Sequence, residues 1–127
     1  METIIKTEKA PKAIGPYSQA IKSGNFIFIS GQLPIEPISG LIPQDIKEQT
    51  KNVLNNIKAI LEEANCNMEN IVKTTVYITD LSLFQEMNEI YGQFFKNAPP
   101  ARATVEVKAL PKGAKIEIEA IAIDKNL

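Results

Sequence analysis

Histidine and tryptophan are absent from this chain of 127 residues, and cysteine and arginine occur once each, as Cys66 and Arg102. Without an imidazole, neither a Ser-His-Asp triad nor a Cys-His dyad can be assembled. A lone thiol is too few for the usual zinc sites. One cysteine also excludes an internal disulfide, in keeping with a reducing compartment. No GxxxxGK[ST] or GxGxxG run is present, so a phosphate-cradling loop has no support. No metal or cofactor is expected. No apolar run approaches the ~18 residues of a membrane helix, and residues 1–6 lack the apolar stretch of a secretory signal. The expected location is cytoplasmic, away from membranes. The net charge is -1, with lysines spread from Lys6 to Lys125 between acids. Nucleic-acid modules gather their basic groups on one face, so no nucleic-acid partner is expected. Any chemistry is left to carboxylates, hydroxyls, amides, backbone groups, lysine and one guanidinium.

What is present fits one domain over residues 1–127, since domains of about 100 to 150 residues are the commonest. A 44% hydrophobic content is enough for a packed core. Residues 3–7 read as a short strand. Tyr17 to Lys22, the turn Ser23-Gly24-Asn25, and Phe26 to Ser30 read as a hairpin. From Gly31 to Pro43 three prolines and two glycines predict irregular chain with at most a short strand. Ile46, Val53, Leu54, Ile57, Ile60, Leu61 and Ala64 recur at helical spacing, so 44–64 is an amphipathic helix. Ile71 to Thr79 is a β-branched strand. Asp80 is a candidate N-cap for a second helix over 81–95.

The last two strands, 102–109 and 115–123, alternate strictly. Each has an apolar face (Ala103, Val105, Val107, Ala109; Ile116, Ile118, Ala120, Ala122) and a mixed face. Two helices cover one side of a small sheet, and the apolar faces are expected on that side. The mixed face sets Ile121 and Ile123 beside Thr104, Glu106 and Glu117, too apolar for water. It is expected to pack on other copies in a homo-oligomer.

Arg102 stands against thirteen lysines, so general surface charge here is lysine's work. A lone guanidinium suits bidentate capture of a carboxylate or phosphate; the plainer alternative is a structural ion pair. Glu117, on the mixed face of the following strand, is placed to approach Arg102 and to act as a base or water-orienting group, or else is a solvated carboxylate. Tyr17, in the rigid Gly15-Pro16-Tyr17-Ser18 turn, is a candidate pocket wall. Ser30 and Gly31, after an apolar strand, allow close backbone approach to a ligand. Asn88, on the polar side of the second helix, is either solvated or a ligand contact.

Three stretches together resemble the RidA/YjgF family of reactive-intermediate deaminases. They are Ala13-Ile14-Gly15-Pro16-Tyr17-Ser18-Gln19-Ala20 with Ile29-Ser30-Gly31-Gln32-Leu33-Pro34; Val72-Lys73-Thr74-Thr75-Val76-Tyr77 with Asp80-Leu81; and Pro100-Ala101-Arg102-Ala103-Thr104-Val105-Glu106-Val107 with Leu110-Pro111 and Lys115-Ile116-Glu117-Ile118-Glu119-Ala120. The resemblance spans the chain in order. It implies a chorismate-mutase-like α+β fold of two layers, a mixed sheet with two helices on one face. It implies a homotrimer with sites in the clefts between subunits. The implied activity is cofactor-free hydrolysis of 2-aminoacrylate-type enamines and 2-imino acids, shed by pyridoxal-phosphate-dependent dehydratases, to 2-keto acids and ammonia. Carried over, Arg102 would clamp the carboxylate and Glu117 would place the water. Tyr17 would close the pocket, Ser30, Gly31 and the backbone at Thr104 would add hydrogen bonds, and Asn88 would assist. Many relatives have cysteine where this chain has Thr104, so a nucleophilic thiol is not required here. The competing readings are a non-catalytic sensor of small keto or amino acids and an RNA-acting nuclease, the latter disfavoured by the acidic pI and the missing histidine.

Overall fold

The computed structural model describes residues 2–125. Three strands open the chain: β1 (Glu2–Ile5), β2 (Ala20–Ser23) and β3 (Phe26–Gln32). Gly24, at φ +61, takes the first place of the two-residue β2–β3 turn, where a side chain would be strained. Helix α1 (Ile46–Glu63) follows, capped by the Asp45 carboxylate, which accepts from the Glu48 amide at 3.1 Å. Then come β4 (Ile71–Ile78), α2 (Phe84–Phe94), β5 (Ala101–Glu106) and β6 (Ile116–Ile123). The sheet runs β1-β2-β3-β6-β4-β5, antiparallel throughout except for the parallel β4–β5 pair. The chain passes from β3 to β4 and from β4 to β5 in the same direction across the sheet. Successive crossovers of one hand then put both helices on one face. This is the two-layer α+β arrangement expected from sequence.

The core lies between that face and the helices. Ile27 and Ile29 of β3, Val76 and Ile78 of β4, and Ile116 and Ile118 of β6 meet Val53, Leu54, Ile57, Ile60 and Leu61 of α1 and Met87 of α2. Burial of Leu or Ile side chains at this depth contributes roughly 1.5–3 kcal/mol each relative to exposure. The helical spacing missed three polar residues buried on α1: Gln49, Thr50 and Asn56. They are paired with backbone. The Asn56 amide donates to the carbonyls of Leu33 (3.1 Å) and Ile35 (3.0 Å), and Gln49 donates to Pro43 (2.7 Å) and accepts from the Lys115 amide (2.8 Å). These bonds pin the irregular segment after β3 onto the helix layer.

Several boundaries differ from expectation. β1 starts and ends earlier, and β2 begins at Ala20 because Tyr17 and Ser18 belong to the preceding turn. Gly31 and Gln32 lie inside β3, where a register shift between Ile29 and Gln32 pairs Gln32 with Ile118. Asp80 caps a short 3-10 turn (Leu81–Leu83), accepting from the Ser82 amide at 2.9 Å, and α2 proper starts at Phe84.

The main correction concerns β5. Its apolar residues Ala103 and Val105 face away from the helices, whereas Arg102, Thr104 and Glu106 lie on the helix side. Register decides this. Thr74, Val76 and Ile78, the inward residues of β4, are level with Arg102, Thr104 and Glu106. Alternation separates two faces of a strand but does not say which one is covered, and at the sheet edge the covered face sets an arginine against α2. β6 follows expectation, with Ile116, Ile118, Ala120 and Ala122 inward and Glu117, Glu119, Ile121 and Ile123 outward.

Candidate functional site

The residues singled out from sequence fall into two groups on opposite sides of the sheet. On the helix side, Arg102 rises from β5 toward α2. Its guanidinium lies 4.7 Å from the Tyr91 ring centroid and 5.4 Å from that of Phe84. Nη1 donates to Asn88 Oδ1 at 2.7 Å. Tyr91 is itself fixed by a 2.7 Å hydrogen bond between its hydroxyl and that of buried Thr74, and desolvation pushes its phenol above the usual range. Two rings and a neutral amide thus orient the cation. Among the described residues, no carboxylate pairs with Arg102. A guanidinium set over aromatic rings with no acidic partner suits the binding of a planar anion. Thr104, two residues along the same face, buries Oγ1 without a partner.

On the open side, a cleft of about 630 Å³ is lined by Tyr17, Ser30, Gly31, Glu117 and two separate segments carrying Lys12 and Lys112. Ser30 donates its hydroxyl to the Ser18 carbonyl at 2.6 Å, and its amide donates to the Gln19 carbonyl at 2.9 Å, so the Tyr17 turn is tied to β3. Gln19 is the residue the sequence reading left without a role. Buried, it accepts from the Thr7 amide at 2.8 Å and donates to the Pro11 carbonyl at 2.8 Å, holding the segment that walls the cleft. The only advance signal was its place in the turn motif. Gly31 has a direct reason to be glycine, because a Cβ there would stand 2.8 Å from Cδ of Glu117. Its bare backbone lets the Glu117 side chain lie across β3.

Burial, then the neighbouring Glu119, pushes the Glu117 carboxyl above its ordinary value. Tyr77, level with Glu117 on β4, is raised as well, first by desolvation and then by Glu119.

Tyr17, Ser30, Gly31 and Glu117 are therefore brought together, and so are Arg102, Asn88 and the Thr104 strand. The two groups are not brought together within one chain. The expectation that Glu117 approaches Arg102 on one face is overturned: β4 separates β5 from β6, and the two side chains leave the sheet on opposite faces. Neither group alone holds both the arginine and the glutamate. No group of three or more potential metal ligands occurs among the described residues, and no described helix is long and apolar enough to cross a membrane.

The chain thus combines a two-layer α+β fold with an arginine that has no carboxylate partner among the described residues and a cleft holding a carboxylate. The Endoribonuclease L-PSP family model matches residues 7–124. A RutC family protein of Pyrococcus abyssi is 60% identical over 120 residues, 94% of each chain. Among solved structures, E. coli TdcF with bound serine superposes with a TM-score of 0.94 at 47% identity, covering 97% of this chain and 99% of that one. The YjgF gene product of E. coli gives 0.92 at 50% identity, covering 95% and 98%. The chain belongs to the RidA/YjgF family.

Proposed function

We propose that the protein hydrolyses 2-imino acids and their enamine tautomers to 2-keto acids and ammonia, as a 2-iminobutanoate/2-iminopropanoate deaminase, at sites shared between copies of the chain. One observation carries this reading: the single arginine is oriented by Phe84, Tyr91 and Asn88 yet has no acidic partner among the described residues. A cation so placed is ready for the carboxylate of a small acid, and a bound serine in the relative TdcF is such an acid.

In the reaction, Arg102 holds the carboxylate and Glu117 takes a proton from a water. The water oxygen bonds to the imine carbon while the C=N electron pair moves onto nitrogen, which is protonated. The resulting carbinolamine loses ammonia and leaves the keto acid. A carboxyl raised by burial is a stronger base than an ordinary one, which suits proton transfer near neutral pH. Imines are electrophilic enough that holding and aligning the reactants supplies much of the acceleration. Tyr17, Ser30 and Gly31 shape the cleft around Glu117, and the Thr104 strand continues the Arg102 side.

Because Arg102 and Glu117 leave the sheet on opposite faces, a site using both draws them from two copies. Unlike surfaces then meet head to tail, a geometry that gives a ring rather than a two-fold dimer when its rotation closes. A homotrimer is the ring we propose. The open sheet face supports such an assembly, since Phe26, Phe28 and Val105 are each more than 40% exposed on it, beside half-exposed Ile121 and Ile123. The cytoplasm is the proposed location. The nuclease reading rests only on names, that of the matching family and those of solved relatives whose names include the word endoribonuclease.

Arg102→Ala and Glu117→Gln proteins, assayed for keto acid release from an imine made by an amino-acid oxidase, are each expected to lose at least ~10²-fold in rate. Co-refolded one to one, they are expected to regain about a quarter of wild-type activity, the share of seams pairing an intact Arg102 with an intact Glu117. No regain on mixing rejects the shared site. An active Arg102→Ala protein rejects the clamp, and ligand binding without turnover in wild type leaves a sensor instead of an enzyme.

A further inference from the structure

The charged side chains lining the cleft around Glu117 are two carboxylates, Glu117 and Glu119, and two ammoniums, Lys12 and Lys112. Lys12 precedes the Tyr17 turn, and Lys112 lies in the connection from β5 to β6. Other lysines show a structural task. Lys22 pairs with Asp124 at 2.7 Å, Lys47 pairs with Glu89 at 3.1 Å, and Lys115 donates to the Gln44 carbonyl at 2.6 Å. Among the described residues, the ammoniums of Lys12 and Lys112 have neither an ion pair nor a hydrogen bond. Lys112 is also held at φ +59, in the left-handed region, beside Gly113 at φ +70. That conformation crowds the Cβ of an L residue, whereas glycine takes it freely. The turn itself therefore does not account for a lysine at 112.

The charge of the cleft does. Glu117 and Glu119 lie on the same face of β6, about 7 Å apart along the strand. An acid anion entering the cleft approaches both, and like charges repel over such distances, most of all in dilute salt. With the two carboxylates alone, the cleft would turn away the anion that Arg102 is meant to hold. Lys12 and Lys112 face the same space and offset them, and Arg102 from a second copy then tips the sum positive.

We infer that Lys12 and Lys112 form a cationic rim that admits small acid anions to the cleft past Glu117 and Glu119. The inference rests on the shared-site deaminase reading for the substrate and adds what governs its entry. The rim raises the rate of encounter and the local concentration of the anion. It takes no part in making or breaking bonds, so it acts on kcat/KM and leaves kcat to Arg102 and Glu117.

The test follows keto acid release from an imine made by an amino-acid oxidase, over a range of sodium chloride concentrations. At roughly 10 mM ionic strength, where screening is weak, the double variant Lys12→Gln/Lys112→Gln is expected to lose about tenfold in kcat/KM. Its kcat is expected to stay within about twofold of wild type. Added salt lowers kcat/KM in wild type by screening the attraction, and raises it in the double variant by screening the uncompensated carboxylates. Lys112→Arg keeps the wild-type rate. Lys112→Gly, which suits the turn but lacks the charge, loses about threefold. A double variant with wild-type kcat/KM at low salt overturns the inference. So does a loss confined to kcat, or a salt response of unchanged sign. A wild-type protein that converts no imine defeats the deaminase reading, and pyruvate binding by titration calorimetry then decides the rim separately. Weaker binding in the double variant supports it; equal or absent binding overturns it.

Discussion

The covered and open faces of the sheet are made by the same alternating strands, yet they carry different candidate groups, Arg102 on one and Glu117 on the other. On the covered face, polar groups are few and specified. Asn56, Gln49 and the Thr74–Tyr91 pair are each satisfied, and the one cation is wedged against aromatic rings. On the open face, charged Lys73 and Glu119 share the surface with Phe26, Phe28, Ile121 and Val105, and Glu117 lies over a glycine. A face with that much exposed aromatic and aliphatic surface gains from being covered by another protein surface. The lesson is that the packed side fixes a guanidinium in place, while the open side leaves a carboxylate beside uncovered apolar surface.

The comparison breaks most completely by charging the open face. Phe28→Asp places a carboxylate where Phe28 is level with Ile121 and stacks on Phe26, rings 6.0 Å apart. We expect the assembly to dissociate to monomers by sedimentation, with activity lost and helical content kept. A monomer with full activity would place the whole site in one chain.

A smaller effect is expected from Glu117→Gln, whose rate loss falls in the ~10²–10⁴ range of a general base. The same variant sharpens the electrostatics. The folded state holds the Glu117 proton more tightly than the unfolded state, since burial raises the carboxyl above 4.5. Its contribution to stability is therefore largest below pH 4.5 and is lost as pH rises through the raised folded value. At neutral pH the ionised side chain is a cost, so the uncharged amide of Glu117→Gln should raise the melting temperature there but not near pH 4. Wild-type activity should fall on acidification at a pH above that of an ordinary carboxylate.

The mildest change is Gly31→Ala. Its methyl meets the end of a flexible side chain, so Glu117 can swing aside without unfolding the strand. We expect near-native stability with a rate about tenfold lower, in line with a displaced catalytic group. An unchanged rate would show that Glu117 need not lie across β3.

Much of this was legible early. The helical spacing of Val53, Leu54, Ile57, Ile60 and Leu61 located the core face of α1, and the alternation of Ile116, Ile118, Ala120 and Ala122 located that of β6. Arg102 was conspicuous by rarity, and Glu117, Tyr17, Ser30 and Gly31 by motif. The faces of β5 were misassigned because Ala103 and Val105 look like core residues, and only the pairing of Thr74 with Arg102 shows otherwise. Gln19 was passed over because its worth lies in bonds to Thr7 and Pro11, which are remote in sequence.

Local chemistry in the chain, its side-chain periodicities and its short list of reactive groups, was enough to determine the element types, the α+β class and the residues worth suspecting. Which strand stands beside which is a matter of long-range pairing, and that belongs to the tertiary structure. Inserting β6 between β3 and β4 sets Glu117 over Gly31, and leaving β5 at the edge turns Arg102 toward α2. A period-two pattern fixes relative faces within a strand but leaves their absolute sense to the neighbours, and so the separation of Arg102 and Glu117 appeared only once the sheet was assembled.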